Sequence, residues 1–116
     1  MAFTLSFSAF AEEEELIICP LIYASSVKKI VEANGSYDKF KHCAVSCLLT
    51  LRCPAVDVME IGILKELADM VGPGNAEMAD LKADYDGVAL AVKGKAKTDK
   101  ACLAQCHNLY PQNSCQ

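Results

Sequence analysis

The chain has 116 residues, of which 53% are hydrophobic, and it carries a formal net charge of -4 with a pI near 5.1. This length fits one domain with a modest core, and the hydrophobic content argues against disorder. The acidic balance provides no basic surface for a phosphate backbone, so we expect no nucleic-acid partner. Charged residues interrupt every apolar stretch before 18 residues, so we also expect no transmembrane segment.

The first eleven residues resemble the end of a signal peptide. They form a short apolar run that ends in Ala9-Phe10-Ala11, and four glutamates follow directly. An Ala-x-Ala ending is typical of a cleavage site, although no basic segment precedes it here. Seven cysteines in so short a chain are typical of an oxidising compartment. Together these features predict a secreted or periplasmic protein, with residues 1–11 as a signal-peptide remnant and residues 12–116 as a single helical domain.

The apolar spacing predicts an all-α fold, a small bundle of four to five short helices. The first helix covers residues 20–32 and is expected to stop at Asn34-Gly35 in a left-handed conformation. Either Ser36 or Asp38 is placed to cap the second helix, which runs to Cys53.

The remaining helices have clear start or stop signals. Residues 54–71 are apolar on nearly every side, which predicts a central and buried third helix. The fourth helix follows a cap at Asn75 and ends at Val92, and Thr98 is placed to cap a last helix over residues 99–109.

Four cysteines form two pairs at helical spacing: Cys43 with Cys47, and Cys102 with Cys106. If the two helices are antiparallel, Cys43 bonds to Cys106 and Cys47 to Cys102, provided that the Cα atoms approach within about 7 Å. Each bridge would then contribute roughly 3 to 4 kcal/mol in the chain-entropy model. The same spacing is compatible with a four-cysteine zinc site, but an exported chain favours disulfides.

Three cysteines remain. Cys53 and Cys115 are predicted to form a third bridge, which leaves Cys19 unpaired or in an intermolecular link. A cysteine nucleophile activated by His42 is disfavoured, because His42 and Cys43 are adjacent and point about 100° apart on a helix.

Ionisable residues between positions 38 and 87 recur three or four residues apart, so that each group shares one helix face. We take His42, Glu66 and Asp80 as candidate catalytic residues. Four further residues are orienting or structural candidates: Asp38, Lys65, Asp69 and Asp84. The alternative is that these residues only cap helices or form solvated ion pairs. A single histidine is too little to predict a metal site, and we expect no cofactor.

The order of these short motifs resembles a known family. Asp38-Lys39-x-x-His42 is followed by Gly62-Ile-Leu-Lys65-Glu66-Leu-Ala-Asp69, and later by Asp80-Leu-Lys-Ala-Asp84-Tyr-Asp-Gly87. This succession is similar to the core of the VanZ-like family and of the YfiM-type periplasmic lipoproteins, over Asp38 to Ala91. The resemblance implies a helical protein of the bacterial cell envelope, with the same charged residues as the positions of interest, and it implies no established reaction.

Three functions are compatible with the sequence. The first is a soluble cell-envelope or secreted bacterial protein whose His/Glu/Asp constellation is a structural or binding network with an envelope-associated partner or ligand. The second is a hydrolase, with or without a metal, that acts on an envelope lipid or glycan. The third is a small secreted effector or toxin-like module. The sequence leaves open whether the chain is an enzyme, and it assigns no oligomeric state.

Overall fold

The computed structural model describes residues 18–71 and 78–111, except for the side chains of residues 64–71. Within these ranges the chain forms five helices and no strand, which confirms the all-α prediction. The helices are α1 (18–32), α2 (Asp38–Thr50), α3 (Ala55–Val71), α4 (Met78–Val92) and α5 (Asp99–Leu109). None of the described helices is both long and apolar enough to cross a bilayer. Residues 1–11, Asn75 and Cys115 lie outside the described residues, so the signal-peptide prediction stays a prediction.

In the described part of the chain the centre of the fold is α2, and the prediction that the third helix is central and buried is wrong for its described side chains. On α2, Phe40, Cys43, Cys47 and Leu48 are completely buried. On α3, by contrast, large apolar side chains such as Ile63 remain 45% exposed. The reason is that α2 packs against α3, α4 and α5 and is joined to α5 by two disulfides, whereas α3 has no cysteine within its bounds.

A close helix crossing joins α2 to α4. A Cβ atom built on Gly87 of α4 would overlap the backbone carbonyl oxygen of Cys43 on α2 and would lie 3.0 Å from the backbone nitrogen of Cys47. Since these are backbone atoms, no rotamer change can make room for a side chain. Gly87 therefore sets how closely the two helices approach, and this approach brings their polar side chains into contact.

Two disulfides attach α5 to α2. Cys43 bonds to Cys106 with a Cα–Cα distance of 5.8 Å, and Cys47 bonds to Cys102 with a Cα–Cα distance of 5.7 Å. These are the two bridges that the cysteine spacing predicts for antiparallel helices, and all four residues are completely buried. The four cysteines therefore form covalent cross-links between α2 and α5, and they do not form the alternative four-cysteine zinc site.

The third disulfide joins Cys19 to Cys53. The predicted pairing of Cys53 with Cys115 is therefore wrong, and so is the expectation that Cys19 is unpaired or in an intermolecular link. Helices α1 and α2 are joined by the short segment 33–37, so the start of α1 returns to the end of α2. That return places Cys19 beside Cys53. Because α5 is antiparallel to α2, its C-terminal end, which leads to Cys115, lies at the opposite end of α2.

The helix ends follow the predicted signals only in part. Thr98 caps α5 as predicted, since its hydroxyl accepts a hydrogen bond from the Ala101 amide at 3.1 Å. The N-cap of α2 is Tyr37, rather than Ser36 or Asp38, and its side chain makes no capping bond. No left-handed residue ends α1; instead the Asn34 side-chain amide donates to the Ile30 carbonyl at 2.7 Å. Asp38 is thus freed for contacts along α2.

One buried carboxyl group has an oxygen without a hydrogen-bond partner. Asp57, in the first turn of α3, is 1% exposed, and its Oδ2 has no hydrogen-bond partner in the described part of the chain. Burial raises the pKa of Asp57, because the charged form is poorly solvated there. The folded protein therefore holds this proton to higher pH than the unfolded chain does. Its unfavourable effect on stability is absent below pH 3.8 and appears as the pH rises through the folded pKa.

Replacing Asp57 with asparagine is expected to stabilise the protein at pH 7 by about 1 to 2 kcal/mol, because the substitution removes a buried charge. Urea unfolding of both proteins at pH 7 and pH 3 measures the effect. The difference should shrink toward zero at pH 3, where the wild-type carboxyl is protonated in both states. The exposed control Glu32→Gln should change stability by less than about 0.5 kcal/mol at pH 7. A lower stability of Asp57→Asn at pH 7 would contradict the burial argument.

Candidate functional site

The polar side chains of the candidate site lie where α2 faces α4. Lys39, His42 and Ser46 occupy one face of α2, because they are three and four residues apart. Asp80 and Asp84, one turn apart on α4, face them and are both 6% exposed. The close approach at Gly87, one turn beyond Asp84, brings the two faces within hydrogen-bonding distance.

His42 contacts carboxylates through both ring nitrogens. Its Nδ1 lies 3.0 Å from Asp84 Oδ1, and its Nε2 lies 3.4 Å from Asp80 Oδ2 and 3.8 Å from Asp38 Oδ1. A carboxylate only accepts hydrogen bonds, so the contact with Asp84 places a proton on Nδ1. The imidazole ring is therefore fixed in orientation, with Nε2 directed at the other two aspartates.

Lys39 also belongs to this network, because its ammonium group contacts both Asp80 and Asp38. Its Nζ lies 2.6 Å from Asp80 Oδ1 and 3.4 Å from Asp38 Oδ2. Each of the two carboxylates thus has one oxygen near the ammonium group and the other oxygen near the imidazole. The side chain of Asp80 is 9% exposed and that of Lys39 is 18% exposed, so this ion pair is shielded from water more than a surface pair.

The pKa values of the network reflect burial and its opposing charges. Burial alone would lower the pKa of His42, but the hydrogen bond to Asp84 and the charges of the three aspartates outweigh it and raise that pKa. Burial raises the pKa of Asp80 despite the attraction of Lys39. For Asp38, burial is outweighed by His42 and Lys39, so its pKa is lowered. The surrounding aspartates therefore favour the protonated form of the His42 imidazole, and His42 and Lys39 favour the ionised form of Asp38.

Ser46 is bonded to Asp84 and not to the imidazole. Its hydroxyl donates to Asp84 Oδ1 at 3.2 Å, so Asp84 lies between Ser46 and His42. A serine nucleophile needs the histidine beside its hydroxyl, which this order does not provide. Gly62 of α3 lies against the other carboxylate oxygen of Asp84, because a Cβ atom built on Gly62 would lie 2.8 Å from Asp84 Oδ2. Asp84 is therefore enclosed by α2 and α3 while it orients His42.

A cleft of about 360 Å³ opens beside this network, between α1, α2 and α3. Its apolar walls consist of Ala24, Val31, Val45, Leu49, Val58 and Ile61. Its polar lining consists of Lys28, Glu32, Asp38, Lys41, His42, Ser46 and Asp84. Small-molecule sites commonly begin at about 300 Å³ and combine apolar walls with a few convergent polar groups. The cleft has both properties.

The structure brings together four of the seven charged residues that the sequence analysis selected. His42, Asp80, Asp38 and Asp84 form the network, with Asp38 and Asp84 in contact with His42. Three more candidates, Glu66, Lys65 and Asp69, have side chains outside the described residues.

Sequence reasoning missed part of the site. It does not select Lys39 as a site residue and treats it only as an ion-pair partner of Asp80 or Asp84; the structure contains the pair with Asp80, at 2.6 Å. It also did not predict the apolar cleft, whose walls come from three helices with no shared motif.

Comparisons with other proteins add no assignment to this geometry. No family model, curated protein or solved structure matches the chain. The features that bear on function are therefore the network of His42 and the cleft that it borders.

Proposed function

We propose that the protein is an exported binding module of the bacterial cell envelope, and that the cleft beside His42 holds the apolar part of an amphipathic envelope molecule. The observation that carries this proposal is the cleft itself, with apolar walls on three helices and the polar groups of His42, Ser46 and Asp84 at one end. Export is supported by three disulfides, which persist in oxidising compartments, and an envelope location by the resemblance to VanZ-like and YfiM-type proteins.

The walls of the cleft suit a hydrocarbon or ring system. Val45 and Leu49 are one turn apart on α2, and Val58 and Ile61 are one turn apart on α3, so each helix contributes an apolar ridge to the lining of the cleft. Transfer of a ligand's apolar surface from water to such walls contributes roughly 25 cal/mol for each Å² buried. The walls thus supply affinity with little chemical selectivity.

The polar groups of the cleft determine which head group fits. Lys28 and Lys41 are balanced by Glu32 and Asp38, so this part of the lining has no net charge. Ser46 and Asp84 add a hydroxyl and a carboxylate that accept or donate hydrogen bonds. We therefore assign the ligand to the class of neutral or zwitterionic amphiphiles, rather than to strongly anionic ones.

The network of His42 has a structural role in this proposal. Its ion pairs hold α2 against α4 and keep the polar groups of the cleft in fixed positions. A ligand then meets a preformed site and loses less entropy on binding.

A hydrolase acting on an envelope lipid or glycan is the second candidate. The observation that favours it is the orientation of His42 by Asp84 at the edge of the cleft, which resembles the way a general base is held. Against it, Nε2 faces Asp80 and Asp38, and Ser46 donates to Asp84. A water molecule activated by His42, with Asp80 as its acidic partner, is the remaining route to hydrolysis.

Titration with N-phenyl-1-naphthylamine tests the binding proposal, because this neutral amphiphile fluoresces strongly in apolar sites. The wild-type protein should bind one equivalent saturably. Val45→Phe places a larger side chain in the cleft and should weaken binding at least tenfold. The matched control is Val92→Phe on the exposed surface of α4, which should leave the affinity unchanged.

Equal binding by Val45→Phe and the wild type, with both proteins folded by circular dichroism, would refute the cleft as the binding site.

The hydrolase candidate is examined in parallel with p-nitrophenyl esters of increasing acyl length. Turnover that is saturable and lost in His42→Gln, while the circular dichroism spectrum is unchanged, would favour hydrolysis over binding.

A further inference from the structure

We propose that Asp38, His42 and Asp80 form a binding site for one divalent transition-metal ion of the Zn²⁺ type. Each residue offers one ligand atom, and the three atoms lie within 4.8 Å of one another. Imidazole nitrogen and carboxylate oxygen are both ligands that zinc takes in proteins. This inference goes beyond the binding of an amphiphile and does not depend on it.

Two of the three distances between the ligand atoms are close to those around a tetrahedral metal. His42 Nε2 lies 3.4 Å from Asp80 Oδ2 and 3.8 Å from Asp38 Oδ1. Zinc bonds of about 2.0 to 2.2 Å at tetrahedral angles place neighbouring ligand atoms about 3.3 to 3.6 Å apart. The His42 distances need a change of only a few tenths of an ångström, whereas the two carboxylate oxygens, which lie within 4.8 Å of each other, must approach by up to about 1.2 Å to complete the first three positions.

The second nitrogen of the imidazole is already held as a metal site requires. Metal-binding histidines almost always donate their other ring N–H to a carboxylate or carbonyl, which fixes the tautomer and the ring orientation. In this protein Asp84, which is not one of the three ligands, accepts from Nδ1 at 3.0 Å and is itself held by Ser46 at 3.2 Å. Nε2 is thus the nitrogen left for a metal, and it points to the two candidate carboxylates.

Lys39 positions the two carboxylates without taking their ligand atoms. Its ammonium group lies near Asp80 Oδ1 and Asp38 Oδ2, whereas the oxygens that face His42 are Asp80 Oδ2 and Asp38 Oδ1. When His42 is neutral, the charges of Asp38, Asp80, Asp84 and Lys39 add up to two negative charges. A divalent cation would neutralise that charge.

The site also has an access route and an open position. The Asp38 side chain is 60% exposed, so an ion can reach the cluster from the solvent. Asp38 and His42 both line the cleft, and a metal between them would therefore border it. With three protein ligands, a fourth position remains for water or for a polar group of a bound molecule.

Isothermal titration of the disulfide-intact, chelator-treated protein with ZnCl₂ tests the proposal. We expect one equivalent to bind, and we expect Asp38→Asn and Asp80→Asn each to weaken binding at least tenfold. The matched control is His107→Gln, which removes the chain's other histidine and should bind zinc as the wild type does. Circular dichroism confirms that each variant is folded, and the exposed Asp38 makes at least that variant tolerant of substitution.

Titration with Co²⁺ then identifies the ligand type. Ligation by nitrogen and oxygen gives visible d–d absorption without the near-ultraviolet thiolate band that a cysteine ligand such as Cys115 would produce. The proposal is overturned by any of three results: no binding by the wild type, unchanged affinity in both asparagine variants, or a thiolate band that disappears in Cys115→Ser.

Discussion

Gly87→Ala is expected to lower the free energy of unfolding by about 3 kcal/mol or more, because the new methyl group has no space at the crossing of α2 and α4. A Cβ at this position overlaps the Cys43 carbonyl oxygen, and the nearest further atoms also belong to the backbone of α2. The helices must therefore separate, which disturbs the contacts of His42 with α4 as well. Guanidinium unfolding under non-reducing conditions measures the loss.

Two variants serve as controls for Gly87→Ala. Lys82→Ala changes a 72% exposed side chain on the same helix and should alter stability by less than about 0.5 kcal/mol. Gly62→Ala brings its methyl group 2.8 Å from a side-chain oxygen of Asp84 and not from backbone atoms, so its effect should be smaller than that of Gly87→Ala. If Gly87→Ala were as stable as Lys82→Ala, the two helices would not be in backbone contact.

Replacing both Cys47 and Cys102 with serine is expected to lower stability by roughly 3 kcal/mol in the chain-entropy model, because with the Cys43–Cys106 bridge intact this bridge closes a ring of only about ten residues. Both residues are completely buried, so the serine hydroxyls add a polar cost in the core. The unfolding midpoint, measured with and without dithiothreitol, reports the loss. Dithiothreitol should lower the midpoint of the wild type strongly.

Cys115→Ser is the matched control for this variant. Six of the seven cysteines are paired with one another, so this substitution should leave the midpoint unchanged. Peptide mapping of the wild type should recover the Cys43–Cys106 and Cys19–Cys53 links. A midpoint that falls with a zinc chelator and is insensitive to dithiothreitol would show that the four core cysteines hold a metal and are not cross-linked.

The cysteine pattern shows which disulfides can be predicted from the spacing of residues along a helix and which cannot. Cys43 and Cys47 share one face of α2, and Cys102 and Cys106 share one face of α5, so an antiparallel arrangement leaves a single way to pair them. Cys19 and Cys53 have no partner at helical spacing. Their bridge depends on the return of α1 along α2, which is a property of the fold and not of either segment.

In the candidate site, too, some features follow from local spacing and others depend on the fold. Helical periodicity places His42 with Ser46, and Asp80 with Asp84, because residues three or four apart share a face. It does not show which atoms meet. Two features of the site depend on how closely α2 and α4 approach each other. One is the position of Asp84 between Ser46 and His42, and the other is the position of Lys39 beside Asp80.

The sequence alone determined the all-α class, the bounds of α5 with its Thr98 cap and the two bridges between α2 and α5, because these follow from periodicity and from hydrogen bonds within a few residues. Only the tertiary structure decided that α2 is the central helix, that Cys53 pairs with Cys19, and that Val45 and Ile61 face one cleft. These features depend on contacts between residues distant in the chain, where the backbone contact at Gly87 sets the spacing.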